Sequence, residues 1–142
     1  MKVWSQPLVV VRDVPASSRF YAQILDAESA HGGEEYEQLV SDGELVLQLH
    51  HIDVEHHHGP LASSDVPLGN GVLLWFEVRD FDAAVEHVRG LEAVVERDVH
   101  VNPNALQREI WLRDPDGYLV VLAGPSEYRP RPEARRPPEA LE

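Results

Sequence analysis

The run His50-His51-Ile52-Asp53-Val54-Glu55-His56-His57-His58 places five histidines and two acids within nine residues. Imidazole and carboxylate are ligands for Zn, Ni, Mn or Fe, so His50, His56 and His58 are candidates for a divalent metal site. The run lacks a His-x-Glu-x-x-His spacing, and a linker seldom holds three ligands in place, so a polar linker is the competing reading. His50 is also the candidate for proton transfer, because an imidazole titrates near neutrality. Glu109, if near it, could orient the ring or take its proton. A hydrogen-bonded packing histidine is the alternative. His31, His87 and His100 read as isolated surface histidines. The chain has no cysteine, which excludes disulfides, thiolate nucleophiles and cysteine-based metal sites. No Gly-rich phosphate loop follows a strand, and no serine sits in a Gly-x-Ser-x-Gly elbow.

The elements that must position these groups come as a repeat. Val11-Arg12-Asp13-Val14 precedes a helical pattern to Leu25, and Val78-Arg79-Asp80-Phe81 precedes another to Leu91. Asp42-Gly43-Glu44-Leu45-Val46 is matched by Asp116-Gly117-Tyr118-Leu119-Val120. Two copies this long indicate a duplicated supersecondary unit. The second copy is a few residues longer, which fits an enlarged loop around Asn102-Pro103-Asn104. Strands are expected at 8–11 and 72–76 from their β-branched and aromatic content. Helix 15–25 starts on Pro15, with Phe20, Ile24 and Leu25 as its apolar stripe. The second helix, capped by Asp80 or Asp82, carries Ala84, Val85 and Val88 and is stopped by Gly90. Three strands follow in each copy, near 27–31, 35–41 and 44–51, then 93–99, 107–113 and 118–123. Asp42-Gly43 and Asp116-Gly117 serve as tight turns. The architecture is α+β: two βαβββ modules, 1–52 and 71–124, joined by a linker at 53–70 in a single domain spanning 1–124.

Composition sets the class. The chain has 142 residues, 43% hydrophobic and 26% charged, an ordinary globular mixture for one domain. From Pro125 to Glu142 five prolines and balanced arginines and glutamates read as a disordered tail or a surface arm. The formal charge of −13 therefore resides in the first 124 residues. Such a surface repels phosphate backbones and anionic lipid, so nucleic acid and membranes are not expected partners. No apolar run reaches the ~20 residues of a bilayer span, and a cytoplasmic location is expected.

Two βαβββ units with Asp114-Pro115-Asp116-Gly117-Tyr118 leading into the last strand resemble the vicinal oxygen chelate superfamily of glyoxalases, bleomycin-resistance proteins and extradiol dioxygenases. Val11-Arg12-Asp13, Phe20-Tyr21 and Phe76-Glu77-Val78 add to the resemblance. It implies a curved mixed sheet around a cleft for a small molecule, and commonly a homodimer. In the metal-dependent members it implies four His, Gln or Glu ligands, which fall here on Gln6, Gln48, Leu73 and Val121. The last two are hydrocarbon, so no metal is expected at that position. By strand alternation, His50 faces the cleft if Gln48 does, and Trp75 and Glu77 do if Leu73 does; Ile110 and Leu112 should face the helix, leaving Glu109, Trp111 and Arg113 on the cleft side. Gln6, Gln48, Trp75 and Trp111 are then the candidate ligand-binding residues, with His50 and Glu109 as candidate catalytic ones. Trp75 and Trp111 are either pocket walls for a planar ligand or core filler.

The expected function is binding of a small aromatic or apolar molecule without a metal. If there is catalysis, it is lyase or oxidoreductase chemistry with His50 as acid or base. The alternative is a metal-dependent lyase or dioxygenase with ligands relocated to the His50–His58 region.

Overall fold

The structure, a computed structural model, describes residues 1–54, 58–63 and 65–129. His56 and the tail from residue 130 onward lie outside the described residues. The elements run β1 (Leu8–Val11), α1 (Val14–Leu25), β2 (Glu28–Ser29), β3 (Tyr36–Ser41) and β4 (Glu44–His51). They continue with β5 (Leu73–Glu77), α2 (Phe81–Gly90), β6 (Val94–Asn102), β7 (Gln107–Arg113) and β8 (Leu119–Ala123). The two sheets have the orders β1-β4-β3-β2 and β5-β8-β7-β6. In each, the first strand runs parallel to the fourth and the other pairs are antiparallel. This is the duplicated βαβββ architecture expected from the repeat.

The repeated Arg-Asp pair has a local cause. Asp13 Oδ1 accepts from the Ala16 N–H at 2.9 Å, and Asp80 Oδ1 accepts from the Ala83 N–H at 3.0 Å. Each aspartate is the N-cap of its helix, a role that stabilises by about 1 kcal/mol.

The chain divides into two compact units, 1–72 with Asp114–Tyr118, and Leu73–Arg113 with the chain from Leu119. In the first, Val9, Val11, Leu39, Leu47 and Leu49 are buried against α1 residues Val14, Tyr21 and Ile24. The buried stripe of α1 is Val14, Ser17, Ser18, Tyr21 and Ile24. Phe20 and Leu25, expected on that stripe, are only half-buried, because Tyr21 takes the central place and Phe20 packs edge-on against it.

Tyr21 is central because of the 114–118 turn. Its hydroxyl donates to Asp114 Oδ2 at 2.7 Å, and burial together with that carboxylate pushes the phenol pKa far up. Asp114 Oδ1 accepts from the backbone N–H groups of Asp116 and Tyr118, each at 2.8 Å. Asp116, beside it, accepts from the Arg12 N–H and guanidinium at 3.2–3.3 Å. The Tyr118 hydroxyl donates to the Val10 carbonyl at 2.7 Å, which seats the turn on β1. Gly69 lies flat against this tyrosine: its φ is +86°, and a Cβ there would meet the ring at 3.1 Å. The Arg12-Asp13 and Asp-Pro-Asp-Gly signatures are thus two halves of one hydrogen-bonded assembly.

The second unit packs Leu74, Ile110, Leu112, Val120 and Leu122 with Phe81 and Val88 of α2. Gly90 is the last helical residue rather than the stop, and Leu91 caps the helix. The extra length of the second copy lies elsewhere than expected. The turn after Asn102 spans only 103–106, whereas β6 has nine residues against two in β2. The insertion lengthened a strand that, like β2, is the edge of its sheet.

Candidate functional site

In the second unit the sheet's two faces are set by Arg108, whose guanidinium bonds Asp82 at 2.8 Å and lies over the Phe81 ring. Arg108 therefore faces α2, as do Ile110 and Leu112 by alternation. Glu109, Trp111 and Arg113 leave the opposite face, as the sequence pattern requires. The register extends that face across the sheet. Trp75 lies beside Val121 and Val121 beside Trp111. Glu77 lies beside Ala123, Ala123 beside Glu109, and Glu109 beside His100. The two tryptophans thus flank one valine, their Cα atoms two strand spacings or ~10 Å apart.

Glu109 is 2% exposed, and three side chains hold it. His100 Nε2 lies 2.9 Å from Oε1, the Trp111 indole N–H donates to Oε1 at 2.8 Å, and Asn102 Nδ2 donates to Oε2 at 3.3 Å. The other ring nitrogen of His100 faces the Asp98 carbonyl at 2.7 Å. The His100 ring thus spans the Asp98 carbonyl and the Glu109 carboxylate. His100 is therefore no isolated surface histidine. Its pairing follows from the β6–β7 hairpin: counting outward from 103–106 brings His100 opposite Glu109. The partner of Glu109 within its own unit is His100, not His50.

Beside this cluster lies a groove of about 740 Å³ lined by Trp75, Glu77, Asn104, Ala105, Gln107, Ser126, Tyr128 and Arg129. Trp75 is 39% exposed there. The chain after β8 forms one wall. Ser126 Oγ donates to the Ala105 carbonyl at 2.6 Å, the Glu127 N–H bonds the Leu106 carbonyl at 3.3 Å, and Gln107 Nε2 donates to the Gly124 carbonyl at 3.0 Å. The beginning of the tail, 125–129, is thereby tied to the β6–β7 turn. Trp111 is not on this lining, its N–H being taken by Glu109.

In the first unit, the Ser18–Glu37 bond shows which face of β3 meets α1. Tyr36, Gln38, Gln48 and His50 leave the other face, with Tyr36 opposite His50 and Gln38 opposite Gln48. Their amides and hydroxyl bond one another. The Tyr36 hydroxyl donates to Gln48 Oε1, Gln38 Nε2 donates to the Tyr36 hydroxyl at 3.1 Å, and Gln48 Nε2 donates to the Gln6 carbonyl at 3.0 Å. His50 Nε2 lies 3.3 Å from His58 Nε2, and His50 Nδ1 faces the His51 carbonyl at 2.8 Å. Among the described residues, no group of three or more His, Asp or Glu side chains is placed to hold a metal ion.

The family model of the glyoxalase/bleomycin resistance protein/dioxygenase superfamily matches residues 5–122. The chain belongs to this superfamily. Among solved structures, a glyoxalase/bleomycin resistance protein/dioxygenase from Nocardioides is 19% identical, covering 92% of this chain and 87% of its own, with a TM-score of 0.70. The lactoylglutathione lyase of Agrobacterium tumefaciens is 18% identical, covering 87% and 94%, with a TM-score of 0.66. The integron cassette protein VCH_CASS1 from the mobile metagenome of V. cholerae is 20% identical, covering 87% and 97%, with a TM-score of 0.67. At these identities the likeness is one of fold. No curated protein matches the chain.

The superfamily's metal positions, carried over by motif, do not fit a divalent ion in this chain. In the second unit Leu73 and Val121 offer no lone pair. In the first unit Gln48, a neutral amide, already has its carbonyl oxygen bonded to Tyr36 and its N–H to Gln6. Among the described residues, no helix is long and apolar enough to cross a membrane.

Proposed function

We propose that this superfamily member binds a small aromatic or apolar molecule in the groove of its second unit, without a metal at the superfamily's usual position. The observation carrying the reading is the exposed Trp75 indole on the lining of that groove, which Tyr128 shares. An apolar aromatic surface with a few polar groups around it is what small-molecule recognition requires. Trp111, on the far side of Val121, backs the same row and is fixed by its bond to Glu109. The hydrocarbon character of Leu73 and Val121 supports the metal-free part of the reading. The acidic surface argues against nucleic acid as a partner. The working form is a homodimer in the cytoplasm, and light scattering on the purified chain checks the stoichiometry.

The test is a thermal-shift screen with aromatic metabolites, followed by calorimetry on the wild type and on Trp75→Ala. Saturable binding lost in Trp75→Ala is the expected result. Binding that survives the substitution undiminished overturns the assignment to this groove.

A second reading, a metal-dependent lyase or dioxygenase with relocated ligands, draws on one observation. The 3.3 Å between the Nε2 atoms of His50 and His58 is close to the separation of two nitrogens each held at about 2.0–2.1 Å by one tetrahedral ion. His56, its third candidate ligand, lies outside the described residues. Elemental analysis of untagged protein decides between the two: stoichiometric Zn, Ni, Mn or Fe that is lost in His50→Ala favours the second.

A further inference from the structure

The family match ends at residue 122, yet the groove's lining includes Ser126, Tyr128 and Arg129. This segment lies beyond the residues that the family model matches. Its polar groups can be sorted by what they already bond. Gln107 spends its N–H on the Gly124 carbonyl. Ser126 donates to Ala105 and accepts from the Tyr128 N–H at 3.1 Å, so its hydroxyl is used in both directions. Among the described residues, Arg129 has no ion-pair or hydrogen-bond partner, which it shares with Arg19, Arg79 and Arg97, but of these four it alone is on the groove's lining. Arg12, Arg89 and Arg108 are each held by a carboxylate at 2.7–3.2 Å. Among the described residues, the groove thus has the Arg129 guanidinium, with five N–H donors, and the Trp75 indole on one lining. One carboxylate, Glu77, is also on the lining and would favour the opposite charge.

We infer that the groove selects a planar aromatic ligand carrying an anionic group, with Trp75 against the ring and Arg129 on the anion. Arginine binds carboxylate through paired N–H bonds, and a charge-assisted bond is stronger than a neutral one. The inference rests on the groove reading above and adds the charge of the ligand and the residue that reads it. It also explains why the start of the tail is tied down, since the bonds of Ser126, Glu127 and Gln107 hold the segment that carries Arg129.

Three isosteric probes test it on the full chain by isothermal titration calorimetry: naphthalene-2-carboxylate, 2-naphthylmethanol and 2-naphthylmethylammonium. The carboxylate is expected to bind about tenfold more tightly than the alcohol, the value of one charge-assisted bond, and the ammonium most weakly. Arg129→Gln, on an exposed arm, should bring the carboxylate down to the affinity of the alcohol. Equal affinities for all three probes overturn the inference, as does a carboxylate preference that persists in Arg129→Gln. So does a preference for the ammonium, which would make Glu77 the reader. In each of these cases, binding that depends on Trp75 leaves the groove reading standing. Failure of all three probes to bind overturns the inference, and binding unaffected by Trp75→Ala defeats the groove itself.

Discussion

Glu37 and Glu109 are both carboxylates on the third strand of a βαβββ module, 3% and 2% exposed, and they are satisfied in different ways. Glu37 faces α1 and collects three backbone N–H groups, from His31, Gly32 and Gln38, plus the hydroxyls of Ser18 and Ser29, at 2.6–3.1 Å. Glu109 faces away from α2 and is held by side chains alone, one of them an imidazole. Backbone donors cannot move without unfolding the turn that carries them, so the first arrangement is structural. Side-chain donors can change rotamer without unfolding the strand, so the second arrangement is the more adaptable of the two. The duplicated fold buries a carboxylate on the third strand of each module, with backbone donors in one and side-chain donors in the other.

The largest effect that sharpens this contrast is expected from Glu37→Gln. Burial alone would raise the Glu37 carboxyl, but the bonds from Ser29, Gly32, Ser18 and His31 outweigh it and lower it from 4.5 to about 2. That difference corresponds to about 3 kcal/mol of folding stability. Because the folded value lies below the unfolded one, the contribution is complete above about pH 4.5 and is lost as the pH falls toward 2. Asp114 acts in the opposite sense: burial raises it despite its three hydrogen bonds, so its protonation eases the same acid range. Urea denaturation of Glu37→Gln should show about 3 kcal/mol lost at neutral pH and a shallower fall in acid. Loss of under 1 kcal/mol would break the distinction between the two carboxylates.

Glu109→Gln should cost less, about 1–2 kcal/mol, because a glutamine whose carbonyl oxygen takes the place of Oε1 still accepts from Trp111 and loses only the charge and the Asn102 bond. The same variant should change the near-ultraviolet circular dichroism of Trp111, which Glu37→Gln should leave alone. Equal losses from the two substitutions would mean that both carboxylates are structural.

Much of this arrangement is legible from residue order. The N-cap aspartates, the period-2 alternation that turns Glu109 and Trp111 away from α2, and the duplicated topology follow from local chemistry and repetition. What the alternation does not specify is pairing between strands. His100 looks like a surface histidine until the hairpin register brings it opposite Glu109. The central place of Tyr21 depends on a carboxylate 93 residues away. The wall at 125–129 reads as tail from its prolines, and only its bonds to the β6–β7 turn, Ser126 to Ala105 and Glu127 to Leu106, show where it is held.

Tyr118→Phe probes the first unit apart from Glu37. The hydroxyl is pushed up to about 12 by burial and by Asp114 and Asp116, and it bonds the Val10 carbonyl while the ring packs on Gly69. Phenylalanine keeps the ring and removes one hydrogen bond, so about 1 kcal/mol should be lost. A loss as large as that of Glu37→Gln would place the stability of this unit in the 114–118 turn instead.

The smallest effect is expected on the face of the second unit toward α2, at Asp82. Its carboxyl is lowered by the hydrogen bond and the charge of Arg108, and the contact is 2.8 Å, so by distance alone it resembles the bonds of Glu109. Its surroundings do not: the Asp82 side chain is 79% and that of Arg108 49% exposed. In water such a pair gains little from attraction, loses side-chain freedom and is screened by salt. Asp82→Asn should therefore leave the thermal midpoint unchanged within error at both low and high salt. A clear drop at low salt that disappears in 1 M salt would show that exposed charge pairs contribute in this strongly acidic chain. Burial would then no longer be what separates Glu37 and Glu109 from the other carboxylates.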